Sequence, residues 1–138
     1  VSYLADAPTT VFLDEAEKRD QATLEKLYPG LQTGVVSRDL SGAKVVAKTE
    51  SASSPPAYYY FDVAKNVYKP LGSAYPQLSG LAIAETRPIS YDARDGLEID
   101  GYLTVPKGAE ARNLPLIVYP HCGPASRDFL RFDYWVQY

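Results

Sequence analysis

Leu116-Ile117-Val118-Tyr119-Pro120-His121-Cys122-Gly123-Pro124 is a short, continuous apolar run that breaks into a loop of proline, histidine, cysteine and glycine. Apolar runs of this length, rich in β-branched residues, suit a strand buried on both faces of a parallel sheet. The pattern predicts such a strand over residues 114–119. The loop at its end holds the one histidine and the one cysteine of the chain. In open α/β sheets, binding and catalytic groups gather outside the carboxyl ends of the strands. The chemistry of this chain is therefore expected at His121, Cys122 and Gly123.

Working outward from that loop, residues 129–138 read as the start of a helix. On the other side lie a polar loop over 107–113 and a strand pair, 89–91 and 97–105, about the turn 92–96. Asp95-Gly96 supplies the hairpin signal. Residues 75–86 form a transition. Before it come four candidate strands, 33–38, 43–50, 57–63 and 67–71, with turn chemistry at 39–42 and 64–66. Residues 51–56 read as a loop whose prolines precede the third strand. Short strands at this spacing are the pattern of an all-β repeat, a propeller blade included. Further upstream, 1–5 and 9–13 read as short strands, and 14–27 as a helix lying on a sheet's edge. There Asp14 precedes Lys18, and Glu15 precedes Arg19, by the favourable four residues. Asp20 is a candidate cap for its second half, and Pro29-Gly30 ends it. The Tyr58–Phe61 run must split its rings between the two faces of a strand, which favours cross-strand packing over a binding platform.

Composition limits the function classes. The chain has 138 residues, 46% hydrophobic and 22% charged, with a net charge of −3. That is ordinary globular composition, and the interspersed charge offers no basic face to nucleic acid or anionic lipid. No apolar run approaches the ~18 residues of a membrane span, so a soluble cytoplasmic or periplasmic protein is expected, the compartment left open. One cysteine excludes an internal disulfide. A first residue of valine and a last residue inside the predicted helix lead us to expect a fragment of a larger protein.

The loop motif, with Arg127-Asp128, Phe132-Asp133 and Gln137-Tyr138 after it, resembles the prolyl oligopeptidase family of serine peptidases. The likeness is to its acylaminoacyl-peptidase and dipeptidyl-aminopeptidase branch, whose signature here is His-Gly-Gly-Pro. Residues 91–106 are similar to the opening strand pair of the same family's hydrolase domain. The match is detailed over 88–138 and looser over 1–87, and Cys122 stands where the family pattern has glycine. The resemblance implies a mixed, mainly antiparallel β fold. Residues 1–86 would be the C-terminal part of a β-propeller, its last blade carrying an inserted helix. Residues 87–138 would be the first strands of an α/β-hydrolase domain, truncated before the nucleophile.

The same resemblance implies a parent that cleaves dipeptides or acylated residues from the N-termini of short peptides. It would work through an acyl-enzyme and without a cofactor. An α/β-hydrolase nucleophile sits in Gly-x-Ser-x-Gly, and its triad follows in the order Ser, Asp or Glu, His. No such window occurs in residues 1–138, so the isolated chain is expected to be inactive. His121 then belongs to the oxyanion loop. It is a donor to the developing negative oxygen or a side chain that holds the turn, with Cys122 and Gly123 beside it. A cysteine–histidine nucleophile pair is disfavoured, since adjacent side chains do not aim at each other. One histidine and one cysteine, adjacent, do not make a metal site. Arg127 is a candidate for binding a substrate carboxylate or for a structural ion pair alongside Asp128. A carboxylesterase-type parent and a non-catalytic β-rich binding module remain as alternatives. Exposed strand edges predict self-association.

Overall fold

The computed structural model describes residues 2–4, 8–65, 67–121, 123 and 126–137. A short antiparallel pair, β1 (Ser2–Leu4) and β2 (Pro8–Thr10), precedes a single α-helix, α1 (Glu15–Leu27). A four-stranded antiparallel sheet follows, built from β3 (Gln32–Arg38), β4 (Lys44–Ser51), β5 (Ser54–Asp62) and β6 (Val67–Ser73) in chain order. A 3₁₀ turn at Pro76–Leu78 leads to a separate hairpin, β7 (Glu85–Asp92) and β8 (Glu98–Val105). The chain is mainly antiparallel β with one helix.

The helix begins where the sequence provides a cap. The Asp14 carboxylate accepts the N–H groups of Ala16 and Glu17 at 2.8 and 3.0 Å, satisfying two of the donors a helix start leaves unpaired. These bonds to the charged form hold the Asp14 carboxyl below its ordinary value. The helix ends at Tyr28, followed by Gly30 at φ +80°, a conformation glycine adopts without strain.

Sheet and helix meet through a period-2 pattern. Val45, Ala47 and Thr49 of β4 all point to one face and are 4%, 0% and 2% exposed. Their cross-strand partners on β5 are Phe61, Tyr59 and Ala57, and α1 covers this face with Leu24, itself buried. Gln21 of the helix donates to the carbonyl and the hydroxyl of Thr33, both at 3.1 Å. Asp20 is not a cap: its carboxylate takes the Arg38 guanidinium. On the opposite face Lys48 and Glu50 form an ion pair. The Tyr58–Phe61 run divides as expected. Tyr59 packs between Tyr28 and Tyr68, with centroids 4.8 and 5.7 Å away, and Phe61 also meets Tyr68.

Three further expectations are corrected. The prolines lie within β5, not before it. Pro55 and Pro56 fall where the ladder skips from Ser51↔Ser54 to Thr49↔Ala57, an irregular step that does not need their missing N–H groups. Residues 114–119 are not a buried strand. They carry no ladder, and Leu116, Ile117 and Val118 are 77%, 89% and 77% exposed. A parallel strand is stable only between neighbours that take its backbone groups. Among the described residues no strand pairs with this run, and β8, nearest in sequence, pairs with β7. Residues 129–137 form no helix: 134–137 make a turn and 129–133 are irregular. Phe132 lies tilted and Tyr134 stacked against Tyr75, both with centroids at 5.3 Å, and positions two apart on a helix do not share a face.

Candidate functional site

His121 and Gly123 lie in a long exposed passage. From Pro106 to Asp128 every described residue is exposed, and none belongs to a helix or strand. Asn113 (φ 56°), at the entry to the apolar run, is in the left-handed region that asparagine tolerates. Gly123 has φ +80°, so a side chain there would be strained whatever the space around it. That requirement explains a glycine at 123 in the motif. Cys122 falls outside the described residues, as do Pro124 and Ala125. Arg127 is exposed. Its guanidinium lies 5.7 Å from the Phe129 ring centroid, and its Nε donates to the Asp128 carbonyl at 3.3 Å.

Downstream of the loop the chain returns to the sheet. Gln32 at the start of β3 donates to the Leu130 carbonyl at 2.7 Å. Phe132 is 7% exposed beneath Tyr75, and Tyr134 stacks on the same ring with an interplanar angle of 9°. The Gln137 side chain meets both backbone groups of Ala84. Its Oε1 accepts the Ala84 N–H at 2.8 Å, and its Nε2 donates to the Ala84 carbonyl at 3.2 Å. Trp135 is 75% exposed and stands edge-on to Tyr134, with centroids 5.9 Å apart. Sequence reading found Phe132 and Gln137 only as members of a motif. It gave Gln32 and Tyr75 no role, because a glutamine's backbone contact carries no local sequence signal.

A concavity of the described residues lies elsewhere. A cleft of about 500 Å³ opens between α1 and the sheet, with Leu24, Leu27, Val35, Phe61, Tyr28 and Tyr68 among its walls. Asp20, Thr23 and Asp62 line it too, and within it the Tyr28 hydroxyl donates to that of Tyr68 at 3.0 Å. Burial, and then that bond, raise the Tyr28 hydroxyl well above its ordinary value. It stays protonated at neutral pH and is no base. No described residue of the 106–137 segment lines the cleft. Among the described residues no group of three or more His, Cys, Asp or Glu side chains is placed to hold a metal, and no helix is long and apolar enough to cross a membrane.

The described residues thus separate an exposed loop, with His121 and a glycine-dependent turn, from a mainly apolar cleft whose Asp20 carboxylate is taken by Arg38. No family model matches the chain, and no solved structure matches it. It is 32% identical over 135 residues to dipeptidyl aminopeptidase BIII of Pseudoxanthomonas mexicana. That similarity covers 93% of this chain and 19% of that protein, so the chain spans about a fifth of the relative's length. The similarity relates this chain, over nearly all of its residues, to part of a peptidase.

Proposed function

We propose that residues 1–138 are the junction segment of a serine peptidase of the prolyl oligopeptidase family. Residues 1–86 are then the end of a β-propeller, with β3–β6 as its last blade. Residues 87–138 open an α/β-hydrolase domain and carry its oxyanion loop. The observation that carries the reading is the likeness to a dipeptidyl aminopeptidase over 93% of the chain. Two features support it: a four-stranded antiparallel meander in chain order, and the loop turn that depends on Gly123.

In the intact protein the reaction is removal of dipeptides or acylated residues from the N-termini of short peptides, through a serine acyl-enzyme. His121 and the backbone about Gly123 supply or organise donors to the tetrahedral oxygen. Arg127 is assigned to a substrate carboxylate. The 138-residue chain alone is inactive, because it lacks a Gly-x-Ser-x-Gly nucleophile.

The test assays the gene's full product, and this chain alone, on dipeptidyl and acylaminoacyl p-nitroanilides beside a p-nitrophenyl ester. Amide cleavage by the full product, abolished by a serine-directed inhibitor and absent from the short chain, is expected. Ester turnover alone would move the protein to the carboxylesterases, and amide turnover by the short chain would overturn the missing-nucleophile argument.

A further inference from the structure

Leu116, Ile117, Val118 and Tyr119 follow one another without a break, and each is more than half exposed. The segment from Asn113 to Pro120 holds no charged side chain, and among the described residues no strand pairs with it. Single exposed apolar residues are ordinary on a protein surface, whereas a contiguous patch marks a contact. The question is what the run touches.

The cleft between α1 and the sheet has the complementary chemistry. Leu24 and Val45 within it are buried, while Leu27 and Val63 beside them are more than half exposed, so it opens to the surface. Its volume of about 500 Å³ lies inside the roughly 300–1,000 Å³ of clefts that bury a small ligand, and admits more than one branched side chain. Both carboxylates among its lining residues are engaged: Asp20 takes the Arg38 guanidinium, and Asp62 accepts the Lys65 N–H at 3.0 Å. An uncharged occupant therefore leaves no charge there unpaired. The Tyr68 hydroxyl accepts from Tyr28 and has a proton of its own to donate, which a carbonyl outside any ladder can take. No described residue of 106–137 lines the cleft, so one copy of the chain presents both surfaces at once.

We propose that the 114–119 run of one copy docks in the α1–sheet cleft of a second copy, its side chains against Leu24, Val45 and Phe61. Run and cleft are different patches, so the contact is heterologous. It leaves a free cleft at one end of the pair and a free run at the other, and it propagates into rings or open chains. The inference assigns self-association to a particular pair of surfaces other than the open strand edges, and it does not rest on the peptidase reading.

The deciding experiment uses two variants of the 138-residue chain. Ile117→Lys with Val118→Lys disables the run, and Leu27→Lys with Val63→Lys disables the cleft. All four positions are more than half exposed, so both variants should keep the wild-type far-UV circular dichroism, and the like charges keep the two disabled surfaces apart. By light scattering the wild type should form species larger than one chain, and each variant alone should be a single chain. Mixed in equal amounts, the variants should form a pair, and native mass spectrometry should find one of each and nothing larger. A single-chain wild type, association that survives either pair of substitutions, or a mixture that stays single-chain overturns the proposal. If a variant loses its fold, a blocked peptide of residues 113–120 decides. Added to dilute wild type, it should shift the amide resonances of Leu24, Val45 and Phe61 and dissociate the larger species. The same peptide with lysine in place of Ile117 and Val118 should do neither. Resonances that stay where they are, or that move equally with both peptides, overturn the proposal.

Discussion

Arg38 and Asp20 meet at 2.6 Å, guanidinium to carboxylate, with side chains 27% and 26% exposed. The contact joins the last residue of β3 to the middle of α1. The same guanidinium donates to the Gly42 carbonyl at 3.0 Å, so one side chain ties together helix, strand and the β3–β4 turn. Arginine suits this place because its planar fork serves two acceptors at fixed angles, where lysine presents a single point charge.

Arg38→Ala is therefore expected to destabilise the chain by about 1–3 kcal/mol, since it strips two half-buried acceptors of a charged donor. Arg38→Lys should recover less than half of that loss. Urea unfolding followed by far-UV circular dichroism measures both. A lysine variant as stable as wild type would mean that the shared fork contributes nothing.

Acid should unfold the helix end first. The Asp14 and Asp39 carboxyls are both lowered from 3.8 by backbone N–H bonds, to Glu17 and Ala16 at Asp14 and to Lys44 at Asp39. A depressed folded-state value means that the unfolded chain binds the proton more readily. Their contribution is thus complete above pH 3.8 and falls as pH drops through the lower folded values. Asp14→Ser keeps an N-cap oxygen that cannot titrate, so its helicity should be flatter between pH 5 and 2 by circular dichroism. An unchanged acid profile would remove Asp14 from the account.

Alkali should act through Tyr28. Burial and the Tyr68 hydroxyl raise its value above the ordinary 10.0, so the unfolded chain loses the proton first. Stability from this group is full below pH 10.0 and is lost as pH rises toward the folded value. Tyr68→Phe should bring the Tyr28 titration closer to its ordinary range in ultraviolet difference spectra. A titration that does not move would leave burial as the whole cause.

The 138-residue chain should self-associate. Leu116, Ile117 and Val118 expose a continuous apolar run, and β3 and β6 leave open edges on the four-stranded sheet. Light scattering over a concentration series should report species larger than one chain, and Ile117→Lys with Val118→Asp should reduce them. A clean monomer of the wild type at high concentration would sink the idea.

What the sequence revealed follows the range of the interactions concerned. Asp14 caps a helix through bonds two and three residues away, and Asp95-Gly96 turns a hairpin whose strands are neighbours in the chain. The hairpin turn was legible, as were the helix and all four strands of the sheet to within a few residues; the cap was not, since sequence reading put Asp14 in a surface pair with Lys18 and offered Asp20 as a cap. The run 114–119 was misread because a continuous apolar run implies burial, whereas among the described residues no strand takes up its backbone groups. The returning segment was misread as a helix because Tyr75, which captures Phe132 and Tyr134, lies more than fifty positions away. Of the candidate site, Gly123 was legible from its motif and its turn. The Gln137–Ala84 contact was not, since a backbone acceptor has no residue type to recognise.

The chain's one tryptophan gives this arrangement a further use. Trp135 stands against the ring that rests on Tyr75 and two residues before Gln137, yet most of it faces water. Its emission therefore depends on whether that ring is in place, with no other indole to dilute the signal. The molecule carries its own optical probe of the returning segment, so stopped-flow mixing or temperature-jump fluorescence can time the opening of this region without any label.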